Sequence, residues 1–241
     1  MTRKGRMTEL RMNSIKLNEK KIVKIYEPET IQPFSKSNIC IMQDGDDYFN
    51  IGRIATLSDE FHEEQTITNT YFVGIHYEDR YDRINKYHPD GEQYEAYLQF
   101  LVKEVLPTLE EKLPSNPLGT SYALMGDSLA ATFALTAGVT YPNIFKTIIL
   151  QSPLVDETVI NKVKMADDLS TLQLYHTVGQ KETDVPTTKF GKLDFITPNR
   201  MLKEILTKKT NFYTYQEFEK GDHTWKHWQK DLRNILPLLF S

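Results

Sequence analysis

The sequence is poor in features that mark several classes of protein. It has one cysteine, Cys40, among 241 residues, so an intrachain disulfide framework is excluded and the fold must depend on its apolar core. No run approaches the roughly 18 consecutive apolar residues of a membrane span. The N-terminus also lacks the apolar segment of a secretory signal. We therefore expect a protein without a membrane span that is located in the cytoplasm.

A strong excess of charge of either sign is missing as well. The net charge of -4 at pH 7 gives no broad basic surface for phosphate, so nucleic acid is not an expected partner. Glycine and proline are few, with 11 of each, and hydrophobic residues make up 39%, which excludes collagen-like, low-complexity and wholly disordered chains. The length and composition favour a single globular domain over residues 1–241.

The first half of the chain begins with weakly alternating apolar residues. From Met7 to Tyr26 this alternation predicts two antiparallel strands joined by a turn at Asn18-Glu19. Buried strands are predicted at 38–42 and 70–75, with a polar stretch between them. Residues 77–92 are polar and punctuated by Pro and Gly, which favours a functional surface loop.

Strands and helices alternate from there to the end of the chain. A long amphipathic helix is predicted from Tyr94 to Leu109, ending or kinking near Pro107 or Pro114. Such alternation implies right-handed crossovers and an α/β fold with a mostly parallel sheet that has helices on both faces. The further predicted strands are 121–125, 145–150, 172–178 and 212–218, and the further predicted helices are 129–140, 157–168, 199–207 and 225–239.

A serine lies where a predicted strand turns directly into a helix of small residues. In Gly126-Asp127-Ser128-Leu129-Ala130, the residues two positions before and after Ser128 are small. A strained nucleophile elbow needs small residues there, because strand and helix approach closely. The alternative is that Ser128 only caps the helix.

A serine nucleophile needs a base, and in the α/β order of serine, acid and histidine the base comes last. His223 fits, because it lies in the loop between the last predicted strand and the last helix. Glu182 and Asp184 both follow the preceding strand, and position alone does not separate them as the acid. His223 and His227 have metal-ligand spacing, but no third ligand is evident, so no metal is expected.

Taken together, these motifs resemble the esterase D or putative esterase family of α/β-hydrolases, which includes enterochelin-type, feruloyl and S-formylglutathione esterases. The resemblance runs from about residue 22 to the end of the chain. Ala130-Ala131 departs from it, since the family usually has Gly-Gly there. The segments that carry it are Met42-Gln43-Asp44-Gly45, Val73-Gly74-Ile75 with Arg80, Tyr87-His88-Pro89, 126–130, 141–145, Gln151-Ser152-Pro153, 179–182 and 223–228.

The resemblance implies an α/β-hydrolase fold and a triad of Ser128, His223 and an acid, with Glu182 favoured over Asp184. It also implies an oxyanion hole formed by the backbone N–H groups of Leu129 and Asp46. On the same basis we expect Tyr48 and Trp225 to contact substrate. Tyr48 and Trp225 are expected only as walls of the pocket. No cofactor is expected.

The function predicted from this match is a serine carboxylesterase acting on small-molecule esters through an acyl-enzyme. Within enzymes, the alternatives are a siderophore trilactone esterase or an acyltransferase. The alternative from another class is a catalytically inactive binding protein with the same fold. The sequence does not indicate an oligomeric state.

Overall fold

The structure is a computed structural model that describes residues 3–32, 35–114, 119–189 and 191–241. Its strands, numbered in chain order, are β1 (Arg6–Ser14), β2 (Glu19–Glu27), β3 (Ser37–Gln43), β4 (Asn69–Ile75), β5 (Thr120–Asp127), β6 (Phe145–Gln151), β7 (Gln173–Gly179), β8 (Val185–Thr187), β9 (Gly191–Leu193) and β10 (Phe212–Phe218). Its helices are α1 (Gly45–Asn50), α2 (Ile54–Glu63), α3 (Arg80–Tyr87), α4 (Tyr94–Phe100), a π-helical turn (Leu101–Val105), α5 (Leu106–Lys112), α6 (Leu129–Thr140), α7 (Glu157–Met165), α8 (Ile196–Lys209) and α9 (Trp225–Phe240).

The central sheet has the strand order β1-β2-β4-β3-β5-β6-β7-β10. β2 is antiparallel to both β1 and β4, and the remaining neighbours are parallel. β8 and β9 form a separate short antiparallel pair. The predicted fold class is confirmed, because a mostly parallel sheet carries an antiparallel hairpin at its N-terminal edge.

The two faces of the sheet pack against different helices. Along β3, Ile41 belongs to one apolar core, whereas Cys40 and Met42 belong to the other, as the alternation of side chains in a strand requires. The first core also contains Ala131 of α6, and the second contains Leu232 of α9. The sheet is therefore covered by helices on both faces, and Cys40 is a buried core residue.

Two stretches differ from their predicted state. The polar stretch after β3 contains α1 and α2, and the expected surface loop at 77–92 contains α3. Asp79 caps α3, because its carboxylate accepts hydrogen bonds from the backbone N–H groups of Tyr81 and Asp82. The buried residues of α3 include Lys86, so the inward face of this helix is not apolar and its period is hidden in the sequence.

The helical stretch that begins at Tyr94 runs past Pro107 and ends before Pro114. Leu113 is extended, as expected for a residue that precedes proline. Pro107 lies in the first turn of α5, directly after the π-helical turn. A first-turn position tolerates a missing N–H, so Pro107 does not end the helix.

Within the described ranges, no helix is long and apolar enough to cross a membrane.

Candidate active site

Three side chains from separate loops meet at the carboxyl ends of the parallel strands. Ser128 directly follows β5, Glu182 lies in the loop after β7, and His223 lies between β10 and α9. The Nε2 atom of His223 is 2.9 Å from Ser128 Oγ, and its Nδ1 atom is 2.7 Å from Glu182 Oε2. The three residues thus form one continuous hydrogen-bonded series.

Ser128 has a strained backbone. Its φ of 52° and ψ of -123° fall in a region that L-residues rarely adopt. A Cβ atom on Gly126 would lie 2.3 Å from the carbonyl carbon of Ala130, so only glycine fits two positions before the serine. The backbone N–H of Ser128 donates to the carbonyl of Gln151 at 2.8 Å, which ties the turn to β6. These features are the ones required of a nucleophile elbow.

Glu182 is buried, with 1% of its surface exposed, and both of its carboxylate oxygens are hydrogen-bonded. Oε2 faces His223, while Oε1 accepts from the backbone N–H of Gly179 and from the hydroxyl of Ser152, each at 2.7 Å. Asp184 is exposed and pairs with Lys192 at 2.6 Å. The structure therefore brings Glu182, and not Asp184, to the histidine.

The loops that hold Glu182 and His223 are in close contact at two glycines. A Cβ atom on Gly179 would lie 2.4 Å from the carbonyl oxygen of Gly221 and 2.9 Å from Glu182 Oε1. The backbone N–H of Lys181 also donates to the Gly221 carbonyl at 2.9 Å. A side chain at position 179 would push the two loops apart and displace the acid from the histidine.

Ser152 and Trp228 support this series, although sequence reasoning gave them no role. Ser152 also has a positive φ, of 51°, and its hydroxyl accepts a hydrogen bond from Trp228 Nε1 at 3.1 Å while donating to Glu182. The indole of Trp228 meets the imidazole of His223 edge-on, with ring centroids 4.9 Å apart. A single polar residue after a strand carries no sequence signal for such a position.

The two residues expected to supply oxyanion donors lie in the first turns of helices. Leu129 is the first residue of α6, and Asp46 lies in the first turn of α1, where backbone N–H groups lack intrahelical acceptors. The α1 turn is fixed by a close approach, because a Cβ atom on Gly45 would lie 2.3 Å from the Cα of Gly74. The Asp46 carboxylate pairs with Lys24 at 2.8 Å.

A cavity of about 190 Å³ opens beside Ser128. One wall is the N-terminal part of α3 with Tyr77, and the other is the segment from Val185 to Lys189 with Phe195. The ring of Phe195 also contacts His223, with centroids 4.6 Å apart. The lining residues are Tyr77, Arg80, Arg83, Ile84, Ser128, Leu129, Leu154, Val185, Pro186, Thr187, Thr188, Lys189 and Phe195.

Neither residue expected to contact substrate lines this cavity. Tyr48 is fully buried in the second core, where its hydroxyl donates to Gln151 Oε1 at 3.0 Å. Trp225 is partly buried and packs its ring against Tyr48, with centroids 4.9 Å apart. The pocket-wall expectation for Tyr48 is corrected, because a side chain without exposed surface cannot touch a ligand in this conformation.

A buried ion pair lies next to the serine. Arg83 donates to both carboxylate oxygens of Asp44, and one of its nitrogens also reaches the backbone carbonyl of Asp127 at 3.3 Å. Burial opposes the charge of Arg83, but Asp44 holds its pKa above the ordinary value. Burial raises the pKa of Asp127 well above its usual range, and the negative charge of Asp44 adds to the effect.

Possible metal ligands were also compared with the site. Among the described residues, His88, Asp90 and Asp156 have ligand atoms that all lie within 4.8 Å of one another. His88 contacts Asp156 at 3.0 Å, and Asp156 caps α7, so both have structural roles. His227 pairs with Asp222 at 2.9 Å. The series of Ser128, His223 and Glu182 contains none of these residues.

Comparison with known proteins places the chain in a family. A family model described as "Putative esterase" matches residues 14–239. The chain belongs to this family. An uncharacterised relative, YjcH of Bacillus subtilis (strain 168), is 41% identical over 225 residues, which are 93% of each chain. Membership of the putative esterase family supports a hydrolase that acts on esters.

Solved structures of other esterases share the fold. The enterobactin esterase FES of Shigella flexneri superposes with a TM-score of 0.82 at 16% identity over 97% of this chain, which spans only 58% of that enzyme. An IroE-like serine hydrolase of Shewanella oneidensis gives a TM-score of 0.78 at 20% identity, with 98% of this chain and 80% of that chain covered. A ferulic acid esterase gives 0.73 at 14% identity, with 98% of both chains covered. At these identities the likeness shows the α/β-hydrolase fold alone.

Proposed function

We propose that this putative esterase is a serine carboxylesterase that hydrolyses small-molecule carboxylic esters through a Ser128-His223-Glu182 triad. The observation that carries the proposal is the hydrogen-bonded series itself, with separations of 2.9 and 2.7 Å. A hydroxyl nucleophile is weak at neutral pH and needs an adjacent base that is oriented by a third group. Ser128, His223 and Glu182 supply those three roles in the order typical of α/β-hydrolases.

In the acylation step, Ser128 Oγ attacks the ester carbonyl carbon while His223 Nε2 accepts the hydroxyl proton. The carbon–oxygen bond to the alcohol then breaks as His223 returns that proton to the leaving oxygen. In deacylation, a water gives a proton to His223 and attacks the acyl carbon. Ser128 Oγ leaves with that proton, and the carboxylic acid is released.

Glu182 acts through the histidine. Its carboxylate keeps a proton on His223 Nδ1, so that Nε2 is free to accept from Ser128, and it stabilises the imidazolium that forms during both steps. We assign the oxyanion donors to the backbone N–H groups of Leu129 and Asp46. Donors of this kind are typically worth several kcal/mol of transition-state stabilisation, about 3 kcal/mol for one of them.

The size of the cavity favours a small ester. About 190 Å³ lies below the range of roughly 300 to 1,000 Å³ that is usual for drug-sized ligands. Cleavage of a siderophore trilactone or transfer of the acyl group to an alcohol would use the same three residues, but the trilactone would need a wider site. Hydrolysis of small esters is therefore the function that we place first.

The test is labelling by a fluorophosphonate probe, together with hydrolysis of p-nitrophenyl esters from acetate to decanoate. Wild-type protein should be labelled, and Ser128→Ala should lose both labelling and hydrolysis. The matched control is Ser170→Ala, which removes a serine hydroxyl outside the site and should change neither. Hydrolysis retained by Ser128→Ala would overturn the mechanism, and unlabelled, folded wild-type protein would favour the inactive binding protein.

A further inference from the structure

We infer that the ester cleaved at this site carries a negatively charged group, which binds against Arg80 in the wall of the cavity. The inference rests on the proposed function, because it names the substrate class of the same site. It is carried by the distribution of charge around the cavity beside Ser128.

One wall of the cavity is a single face of α3. Arg80, Arg83 and Ile84 all line it, and positions three and four apart lie on the same side of a helix. Lys189 contributes a third basic residue from the opposite wall. No Asp or Glu lines the cavity within the described part of the chain. The cavity is thus basic in a protein whose net charge is -4.

The two arginines of this face differ in how their charge is used. Arg83 is bound by both oxygens of the buried Asp44, so its charge is already neutralised. Arg80 is exposed, and its contacts are the hydroxyl of Tyr81 at 3.0 Å and the ring of that tyrosine at 4.9 Å. Among the residues that the structure describes, no carboxylate lies within ion-pair distance of Arg80.

These contacts with Tyr81 do not cancel the charge of Arg80. A guanidinium presents a fork of N–H donors that matches a carboxylate or a phosphate in two-point geometry. Apolar walls concentrate the electric field inside a cleft and raise the local concentration of ligands of opposite sign. Ile84, Leu154 and Phe195 provide such walls, so the cavity suits a short carbon chain that ends in an anion.

The test compares pairs of esters in which a terminal carboxylate is either free or methylated. For the acyl side, mono-(4-nitrophenyl) adipate is compared with 4-nitrophenyl methyl adipate. For the alcohol side, 4-acetoxybenzoate is compared with methyl 4-acetoxybenzoate. The readout is the ratio of kcat/KM for the anionic ester to that for its neutral partner, measured at about 0.01 M and about 0.5 M salt, between which screening becomes strong.

We expect the anionic ester of at least one pair to be preferred about fivefold at low salt, with the preference decreasing at high salt. Arg80→Gln should reduce the ratio about three- to fivefold, the effect of one exposed ion pair. Because the ratio is taken within one variant, any change in kcat/KM that affects both esters of a pair equally cancels. The control is Arg11→Gln, at an exposed position of β1, which removes the same charge from a residue that does not line the cavity and should leave the ratio unchanged.

The outcomes separate this inference from the proposed function. Ser128-dependent hydrolysis without any preference for an anionic ester, or with a preference that Arg80→Gln leaves intact, would overturn the inference alone. An equal loss of preference in Arg11→Gln would also overturn it, since the effect would then come from net charge. If neither member of either pair is hydrolysed, the proposed function fails and the inference fails with it.

Discussion

Replacing Glu182 by glutamine tests the role of the buried acid most sharply, because the variant keeps the shape of the side chain and removes its charge. In the wild-type protein, Oε1 accepts from two donors, the Gly179 N–H and the Ser152 hydroxyl, and Oε2 faces His223 Nδ1. A glutamine has one carbonyl oxygen and one NH₂ group. The two fixed donors hold the carbonyl oxygen at the Oε1 position, so the NH₂ group must face His223.

An NH₂ group facing Nδ1 forces that nitrogen to accept a hydrogen bond. The proton of the neutral imidazole then lies on Nε2, which can no longer accept the proton of Ser128. The imidazolium of the transition state also loses its negative partner. We expect kcat/KM to fall about 10³- to 10⁴-fold, which corresponds to roughly 4 to 5.5 kcal/mol of transition-state stabilisation.

The assay is the kcat/KM for p-nitrophenyl acetate, with circular dichroism to verify that the variant is folded. Asp184→Asn is the matched control, because it makes the same chemical change at an exposed acid that pairs with Lys192. It should stay within about twofold of wild type, as expected for an exposed pair. A folded Glu182→Gln variant that keeps more than a tenth of wild-type activity, or a larger loss in Asp184→Asn, would refute the reasoning.

Two further predictions follow from buried polar groups. Ser152→Ala removes the hydroxyl that donates to Glu182 and accepts from Trp228. We expect about a tenfold lower kcat with little change in KM, and a loss of about 1 to 2 kcal/mol in the free energy of unfolding. An unchanged kcat would contradict the positioning role of Ser152. Burial lowers the pKa of His176 to about 4, from 6.5, so the unfolded chain binds a proton at this residue before the folded protein does. The free energy of unfolding should therefore fall by up to about 3 kcal/mol as the pH drops from about 6.5 to 4. Urea unfolding of wild type and His176→Gln measures the contribution of His176 as the difference in free energy of unfolding between the two proteins. Burial raises the pKa of Asp231 to about 6, which gives an opposite contribution that cancels in this difference. Parallel pH profiles for the two proteins would contradict the lowered pKa of His176.

Sequence analysis correctly placed the elements whose side chains are buried along nearly their whole length. β4 is buried at every residue, and α6 is buried at nearly every residue, so both appear as runs of mostly apolar and small residues. The turn between β5 and α6 could be predicted for the same reason, since Gly126 and Ser128 interrupt such a run at its end. A run of apolar residues can be recognised in the sequence without knowing which distant residues it contacts.

Elements without a continuous run of buried residues were missed. α3 turns Lys86 and Arg83 inward, and these charges are stabilised by Asp82, Glu19 and Asp44 from three separate parts of the chain. β8 and β9 have three residues each, too few for any alternation to be visible. Residues distant in sequence, Glu19 and Asp44, thus help to decide α3, whereas β8 and β9, which pair with each other, are missed because they are short.

The candidate site could likewise be predicted only in part. Ser128, His223 and the two possible acids could be found from their order along the chain, but the choice of Glu182 depends on which carboxylate is buried against Ser152. Tyr48 was expected in the pocket because it follows the Asp44-Gly45 turn. It instead points into the second core, since α1 turns that side chain away from the cavity.

The order of strands in the sheet also has a consequence for how the protein acquires its activity during folding. Ser128 and His223 are 95 residues apart in the chain, and Glu182 and His223 are 41 residues apart. His223 follows β10, which pairs with β7 at the edge of the sheet, and contacts of such long sequence separation form slowly because closing long loops costs entropy. The central strands can assemble while Ser128 still lacks its contact with His223. Recovered ester hydrolysis therefore reports that the last strand and helix have docked, which a spectroscopic signal from the central strands does not.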